Sequence, residues 1–434
     1  MSTTPTPAPR LQLPERHQMK IDERSLDRLL PPDHAARTVW TYVDGLDLSP
    51  LLAQIKAVEG NPGQPTIDPR ILLSLWLLAT LEGVGSAREL DRLTEMHIAY
   101  EWLCGEVSVN YHTLSDFRSK NETLLSALLT QSVATLMRQG LVDLQEVAQD
   151  GLRVRASAGT KSFRREQSLG ECLNQARQQV EALRTQLDED DGAVSRRQQA
   201  ARERAARERQ ERIEEALRQR QQLAERQEEV VKEKGAKRNR EPRASTTDPE
   251  ARHMKMPDGG FRPGYNVEFA TDTASGIVVG MDVVNVGSDS GQLLPMTEQL
   301  EDRYEKTPER MLADGDFATL EDIETLHGEH EVDVYAPVKN AEKEKANGNN
   351  PFQAKPKDGP GVGAWRERMG TDEAKTIYSR RAQTAEWANA RVRNMGLRQV
   401  LVRGLEKVRA TALLYALAHN LMQTVLLKTR AAAA

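Results

Sequence analysis

The chain has 434 residues, a formal net charge of −5 and 38% hydrophobic residues, which suffices for two or three domains with sizeable cores. Its only cysteines, Cys104 and Cys172, are far apart, which excludes a disulfide framework and a cysteine-based zinc site. The stretch Met1 to Arg10 lacks the apolar segment of a signal peptide, and the apolar run Ile71 to Leu81 is too short to span a bilayer. These features predict a cytoplasmic protein without a membrane partner.

The near-neutral total conceals an uneven distribution of charge. From Gly363 onward the cations outnumber the acids more than twofold, whereas the stretch Glu268 to Asp333 is rich in Asp and Glu. A basic C-terminal region of this kind is compatible with local binding of a polyanion.

The N-terminal part of the chain has helical patterning. Residues 1–20 predict a disordered lead-in, and residues 21–140 predict an all-α domain. Asp68-Pro69 marks a helix start, and Ser86-Ala87-Arg88-Glu89 is a capping box. The short helices that lead to Thr113–Arg118 resemble a helix-turn-helix DNA reader, and a packed bundle with ordinary turns explains them equally well.

A charged, Gln-rich segment without proline or aromatic residues runs from about Glu166 to Lys234. Its first half keeps a 3–4 spacing of apolar residues that is typical of a coiled-coil seam: Leu173, Ala176, Val180, Leu183 and Leu187. Asp188 to Gly192 is a break, and the second half places Arg220 and Gln227 on its seam. The pattern predicts an inserted helical arm with a basic linker over residues 163–249, and a single solvated helix is the alternative.

The residues on either side of this arm predict an α/β domain. Glu146 to Gly151 reads as a strand that ends at the Asp150 carboxylate and a glycine turn, before a second extended piece, Leu152 to Ala156. The segments Gly264 to Ala270 and Ile277 to Val284 predict a hairpin.

Helices and strands then alternate, with a helix from Gly291 to Tyr304 and a short strand that ends at Asp314. A helix over Leu320 to Leu326 and a strand over Val332 to Val338 follow, and residues 340–360 predict a loose loop. Together, residues 141–162 and 250–430 predict one domain with a mixed sheet.

The stretch Ile377 to Arg393 predicts a single helix in a cationic environment. Glu386 is the only acid among its surrounding arginines, and such a carboxylate can bind a cation beside an anionic substrate. An ordinary ion pair on the helix surface is the alternative role for Glu386.

Asp150, Asp314 and Glu386 can converge at one edge of the sheet, where the carboxyl ends of strands place functional sites. Three carboxylates repel one another unless cations lie between them, and Mg²⁺ or Mn²⁺ is the natural partner of oxygen ligands. Two such ions about 3.5–4 Å apart would support phosphodiester transfer. Taken singly, each Asp-Gly pair is also ordinary turn chemistry.

Several segments together carry a resemblance to a known family: Gln149 to Ala156, Gly264 to Val267, Ala313 to Phe317, Tyr378 to Glu386 and Ala416 to Leu421. On these segments the chain resembles bacterial insertion-sequence transposases of the DDE type, which have an RNase H-like catalytic domain behind a helical N-terminal domain. The resemblance implies that Asp150, Asp314 and Glu386 bind the metal ions. It also implies that Tyr378 and Arg381 hold DNA phosphate.

The chain departs from the family pattern at three positions. In the family a basic residue, a glycine and a tyrosine usually follow the second Asp, whereas here Gly315, Asp316 and Phe317 follow Asp314. This makes Asp316 a rival ligand, two residues on and on the same strand face. The spacing from arginine to glutamate is one residue longer than usual, which leaves Arg380 as an alternative to Arg381. Arg391 or Arg393 takes the place of the signature lysine, and the absence of a cysteine cluster predicts no zinc.

The favoured function is therefore a DNA transposase that cuts element ends and transfers strands with Mg²⁺ or Mn²⁺. Its partners would be the terminal repeats, the target DNA and further copies of the chain in a homodimer or higher oligomer. When bound to DNA, the protein would associate with the nucleoid. A catalytically inactive relic that only binds DNA is the alternative. A structural coiled-coil protein is a third class, suggested by the arm alone.

Overall fold

The structure is a computed structural model that describes residues 25–53, 55, 65–189, 193–234 and 241–433. The predicted lead-in over residues 1–20 and most of the Asp188–Gly192 break lie outside the described residues. The N-terminal part is helical, with a short 3-10 helix at Leu26–Leu29 before the first α-helix. The α-helices are α1 (Ala35–Asp44), α2 (Ser49–Leu52), α3 (Pro69–Leu81), α4 (Ala87–Met96), α5 (Ile98–Cys104), α6 (Tyr111–Lys120) and α7 (Glu122–Arg138).

Helix α3 is the central element of this region. The Asp68 carboxylate accepts a hydrogen bond from the backbone amide of Arg70, and Pro69 occupies the first turn, which confirms the predicted helix start. Nearly every side chain of α3 is buried, because the helix is apolar on all sides. The Ser86 hydroxyl likewise caps α4 by accepting from the Glu89 amide, as the capping box predicts.

The C-terminal part contains a mixed sheet. Its strands are β1 (Glu146–Arg155), β4 (Arg252–Lys255), β5 (Phe261–Asp272), β6 (Val278–Val284), β7 (Arg310–Leu312) and β8 (Asp333–Tyr335), and a separate ribbon pairs β2 (Phe163–Arg164) with β3 (Ala244–Ser245). Antiparallel pairing joins β1, β5 and β6 and adds β4 to β5. Strands β7 and β8 are parallel to β1, so the sheet is mixed, as predicted. The antiparallel pairing of β5 with β6 confirms the predicted hairpin.

The prediction of a glycine turn directly after Asp150 is wrong. Strand β1 continues through Gly151 to Arg155, and its whole length from Val147 onward pairs with β5. Asp150 therefore lies in the middle of a strand rather than at its end. The twelve-residue β5 explains the difference, because it supplies backbone partners for residues on both sides of Gly151.

The charged insertion forms two helices that pack against each other, α8 (Glu166–Glu189) and α9 (Ala193–Lys234). Ion pairs join Arg177 to Glu214 and Arg184 to Glu203, so the two helices run antiparallel. Leu173, Ala176 and Ile213 are buried in their contact. Arg220 lies on the predicted seam and pairs with Glu166; a single solvated helix is excluded for the described part of the arm.

The remaining helices surround the sheet and complete the core. They are α10 (Leu293–Tyr304), α11 (Leu320–Glu329), α12 (Ala341–Ala346), α13 (Pro360–Met369), α14 (Asp372–Arg381), α15 (Trp387–Asn394) and α16 (Leu405–Ala433), with a π-helical segment, Ala382–Glu386, between α14 and α15. Helix α12 lies in the stretch that the sequence predicts as a loose loop. Helix α16 packs against α3, α6 and α7 on one side and β6 on the other, so the helical and sheet regions share one core.

Helix α16 also closes the edge of the sheet. The side-chain amide of Asn420 accepts from the Val278 amide at 2.8 Å and donates to its carbonyl at 2.7 Å, as a neighbouring strand would. His419 bonds to the Gly276 carbonyl, and burial lowers the pKa of His419 to about 4. His419 is therefore a structural histidine, as expected.

Among the described helices, α16 is the one that is long and apolar enough to cross a membrane. Of its most apolar 18-residue window, 72% is buried inside the protein, as in the core helix of a soluble domain. Its apolar surface is thus covered by α3, α7 and β6.

Candidate active site

Asp150 is the most constrained of the predicted carboxylates. Its Oδ2 accepts a hydrogen bond from the Asn389 side chain at 2.8 Å, and its Oδ1 accepts from the Gly151 amide at 3.1 Å. Burial raises the pKa of Asp150, while the charge of Arg381 and the Asn389 hydrogen bond oppose this rise. The nearby charge of Glu386 raises this pKa further.

Arg381 joins the first and third predicted carboxylates. Its Nη1 lies 3.5 Å from Asp150 Oδ1, and its Nη2 lies 3.2 Å from Glu386 Oε1. The Arg381 side chain is 11% exposed, whereas that of Glu386 is 53% exposed. Two carboxylates that are 236 positions apart in the chain (386 − 150) therefore meet at one guanidinium group.

The π-helical segment explains the long spacing between Arg381 and Glu386. In an α-helix residues four apart share a face, whereas one turn of π-helix contains an additional residue. Because Ala382–Glu386 is π-helical, Arg381 and Glu386 remain on the same face although they are five residues apart. The π-helical turn accommodates the extra residue without interrupting the helix. The stretch predicted as a single helix thus consists of α14, the π-helical segment and α15 in direct succession.

Asp314 is brought to the same place by the register of the sheet. Ala148 pairs with Leu312 across β1 and β7, and Asp150 and Asp314 each lie two residues beyond that pair. Asp314 is exposed and its charge acts on Arg381, which places it on the Arg381 side of the strands. Two of the predicted carboxylates therefore contact Arg381, and the charge of the third acts on it through space.

Asp316 differs from Asp314 in its surroundings. Strand β7 ends at Leu312, so Asp316 lies in a turn. The prediction that Asp314 and Asp316 share a strand face is therefore wrong. The Asp316 side chain is 83% exposed and lies 3.6 Å from Lys339 Nζ. This turn directs Asp316 to a different cation from the one that joins the other carboxylates.

Arg380 has a separate structural partner. Its Nη1 bonds to both oxygens of Glu146, at 3.2 and 3.0 Å, and Arg310 binds the same buried carboxylate at 3.0 Å. Glu146 lies four residues before Asp150, or roughly 13 Å along the strand. Arg380 is thus held at the start of β1, and the adjacent Arg381 alone faces Asp150.

The other predicted DNA-binding residues lie along the same helical run. The Arg381 guanidinium lies 5.9 Å from the ring centre of Tyr378, which is half-buried. Arg391 lies over the Trp387 ring and donates to Gln423 on α16, so part of its role is structural. Arg393 is half-buried and makes no ion pair within the described part of the chain.

The carboxylates do not enclose a preformed metal cluster. Among the described residues, no three His, Cys, Asp or Glu side chains come close enough to hold an ion. Arg381 occupies the space between Asp150 and Glu386, and a cation bound there would have to displace it or lie beside it. Asn389 is the residue at this site that the sequence analysis missed, because a single asparagine on a helix carries no motif.

Comparison with known protein families assigns two regions of the chain. Residues 241–421 match the model of the transposase DDE domain, and residues 24–120 match the transposase domain DUF772. The chain belongs to the DDE transposases. No curated protein and no solved structure matches this chain.

The two matched regions of this transposase frame the candidate site. Asp314, Arg381 and Glu386 lie within the DDE-domain match, whereas Asp150 and the arm lie between the two matches. In the helical match, α6 contains the segment Thr113–Arg118 of the predicted helix-turn-helix, and two of its cations have partners within the chain. Arg118 is buried over the Trp76 ring, and Lys120 pairs with Asp116.

The opposite face of the transposase sheet carries a second polar cluster. Gly151 alternates with Asp150 along β1, so it points to the other side of the sheet. A Cβ atom there would lie 2.8 Å from Asp289 Oδ1 and 3.1 Å from Asn266 Oδ1, which explains the glycine. Gly151 therefore permits close approach of side chains rather than a turn.

Glu268 is the buried acid of this second cluster. It is 1% exposed and accepts hydrogen bonds from Asn266 and Gln149. Burial, and after it the charge of the neighbouring Asp289, raise the pKa of Glu268 to about 8. Because this pKa is higher in the folded than in the unfolded chain, the stabilising contribution of Glu268 is fully present below the ordinary glutamate pKa of 4.5. It is lost as the pH rises through about 8.

We expect Glu268→Gln to stabilise the transposase at high pH. The variant retains a neutral side chain at every pH, so its free energy of unfolding should exceed that of the wild type by a few kcal/mol at pH 8.5 and differ little at pH 4.5. Urea unfolding at both pH values measures this difference. Glu298→Gln, an exposed change on α10, is the control, and an equal effect of both changes would contradict the prediction.

Proposed function

We propose that this transposase is an active enzyme whose RNase H-like domain cleaves element ends and transfers the freed strands with Mg²⁺ or Mn²⁺. The observation that carries the proposal is the meeting of Asp150 and Glu386 at Arg381, with the Asp314 charge acting on the same guanidinium. An ordinary surface ion pair of Glu386 would not involve a half-buried strand carboxylate. The strand order, with three antiparallel strands followed by two parallel to β1, supports the RNase H-like assignment.

The residues at this site fit a divalent cation. Their charged and amide oxygens are the hard ligands that Mg²⁺ and Mn²⁺ prefer, and the amide oxygen of the buried Asn389 lacks a hydrogen-bond partner in the described structure. Asp150, Asp314 and Glu386 would hold the metal, as two ions. When bound, the metal activates the attacking oxygen and neutralises charge on the phosphate.

The protein's own residues position the substrate. Arg381 lies between two carboxylates in the protein without DNA, and its planar guanidinium can instead form paired hydrogen bonds with a backbone phosphate. The ring of Tyr378 lies beside Arg381, 5.9 Å from its guanidinium group. Arg393 has no ion-pair partner among the described residues, so it is available to bind another phosphate of the DNA strand. Phosphoryl transfer depends mainly on such positioning and on charge neutralisation.

The other regions have proposed roles in assembling the DNA complex. The helical domain would recognise the terminal repeats without Arg118, which is buried over the Trp76 ring. The antiparallel arm of α8 and α9 would pair subunits as a homodimer or higher oligomer, or bridge element ends. Such a protein would act in the cytoplasm, at the nucleoid.

The decisive experiment is cleavage of labelled DNA that carries the flanking element ends, in the presence of Mg²⁺ or Mn²⁺. We expect the wild type to cut, Asp314→Asn to lose cutting and Asp316→Asn to retain it, because Asp316 pairs with Lys339 instead of facing Arg381. Asp316→Asn is a matched control for Asp314→Asn, since both acids are exposed and lie in the same segment.

Two other results would change the assignment. Loss of cutting in Asp316→Asn with survival in Asp314→Asn would move the second ligand by two residues. A wild type that binds the ends tightly and never cuts them would favour the inactive, DNA-binding relic.

A further inference from the structure

Asn389 connects strand β1, which carries Asp150, to the helical run that carries Glu386. It lies on α15, three residues after Glu386, and residues at this spacing share a helix face. Its side chain is buried, with 5% exposure, and its Nδ2 donates to Asp150 Oδ2 at 2.8 Å. Asn389 therefore belongs to the surroundings of both Asp150 and Glu386.

The orientation of the Asn389 amide is determined by its partner. An ionised carboxylate only accepts hydrogen bonds, so the NH₂ group of Asn389 must face Asp150. The Oδ1 atom then remains without a hydrogen-bond partner among the described residues. A buried polar atom without a partner costs about 1–3 kcal/mol. Reversing the amide would not remove this cost, because Asn389 Oδ1 would then face Asp150 Oδ2, and both atoms are acceptors.

An oxygen atom at this position supplies what the carboxylates lack. Asp150 and Glu386 contribute charge, but no three acidic, histidine or cysteine side chains of the described chain form a metal cluster. The Asn389 Oδ1 is a neutral oxygen on the same helix face as Glu386, and carboxamide oxygens are ordinary ligands of hard cations. It adds a third oxygen donor to the pair that Arg381 joins.

We propose that Asn389 is a metal ligand of this transposase, held in place by its own hydrogen bond to Asp150. The inference rests on the proposed metal-dependent function and assigns to the same site a neutral ligand in addition to its three acids. Nδ2 orients Asp150, and Oδ1 binds the cation. The amide thus links the position of the first carboxylate to that of the third.

The test is titration of the full-length protein with Mn²⁺ alone, without DNA, with the free ion followed by electron paramagnetic resonance. We expect Asn389→Ala to weaken Mn²⁺ binding by about ten- to hundredfold, the range typical for residues that support a metal site. We expect Asn389→Asp to bind Mn²⁺ at least as tightly as the wild type, since it retains an oxygen and adds a charge.

The control is Asn394→Ala, which removes the same type of side chain from an exposed position at the end of α15 and should leave Mn²⁺ binding unchanged. Thermal unfolding shows whether each variant is folded. Equal Mn²⁺ affinity of the wild type and Asn389→Ala would overturn the inference and leave the metal site standing. Equal losses in Asn389→Ala and Asn389→Asp would also overturn it, because a purely structural amide predicts them. If the wild type binds no Mn²⁺, the metal site fails, and the ligand role of Asn389 fails with it.

Discussion

Asp150→Asn is expected to abolish metal-dependent cleavage, with a loss of at least about 10³-fold, and to leave the melting temperature unchanged or higher. The rate falls because several kcal/mol of charge stabilisation by a bound metal are lost when one of its ligands is removed. Stability is preserved because the pKa of Asp150 is raised by burial, so its charged form is disfavoured in the folded protein. An amide of the same shape removes that charge and can still accept from Asn389.

Cleavage of end DNA, binding of the same DNA and thermal unfolding together measure this separation of activity from stability. Asp272→Asn is the matched control, because Asp272 is an acid of the same sheet whose pKa is likewise raised by burial but which accepts hydrogen bonds from Ser275 in the hairpin turn. We expect it to retain cleavage. If Asp150→Asn cuts at a rate near that of the wild type, Asp150 is not a metal ligand.

Arg381→Ala is expected to separate metal binding from DNA cleavage. In the protein without DNA, the guanidinium competes with a metal ion for Asp150 and Glu386, so its removal should tighten Mn²⁺ binding by about tenfold. Cleavage should nevertheless fall by about 10²–10³-fold, since a preorganised donor to the phosphate is lost. A misfolded variant would lose both Mn²⁺ binding and cleavage, whereas we expect tighter Mn²⁺ binding together with slower cleavage.

The neighbouring Arg380→Ala provides the comparison. Its loss leaves the buried Glu146 with Arg310 and Thr273 as partners, and we expect a loss of about 1–3 kcal/mol in the free energy of unfolding with unchanged Mn²⁺ affinity. Calorimetric Mn²⁺ titration, urea unfolding and the cleavage assay distinguish the two variants. If Arg380→Ala tightens Mn²⁺ binding and Arg381→Ala does not, the roles assigned to these two arginines are reversed.

Local signals in the sequence predicted much of the secondary structure. The caps at Asp68 and Ser86 act between residues two or three positions apart, so they operate without reference to the rest of the fold. Alternating apolar residues likewise predicted the β5–β6 hairpin. The order of Asp150, Asp314 and Glu386 and their flanking motifs indicated the transposase family, which the two family matches confirm.

Other features depend on partners that are distant in sequence. Asp150 and Gly151 resemble a strand end and turn until the long β5 pairs with both. The choice between Arg380 and Arg381 depends on where Glu146 and Asp150 lie beneath the helix. One turn of π-helix then places Glu386 on the same face as Arg381. Asn389 carries no signal of its own, because its significance comes entirely from its hydrogen bond to a strand 239 positions earlier.

By itself, the sequence determined the family, the candidate acids and most element types, because these depend on motifs and on short-range periodicity. Only the tertiary structure decided which cation and which amide face the Asp150 carboxylate. Burial and hydrogen-bond geometry arise when β1 packs beneath the α14–α15 run, and no local pattern records that contact.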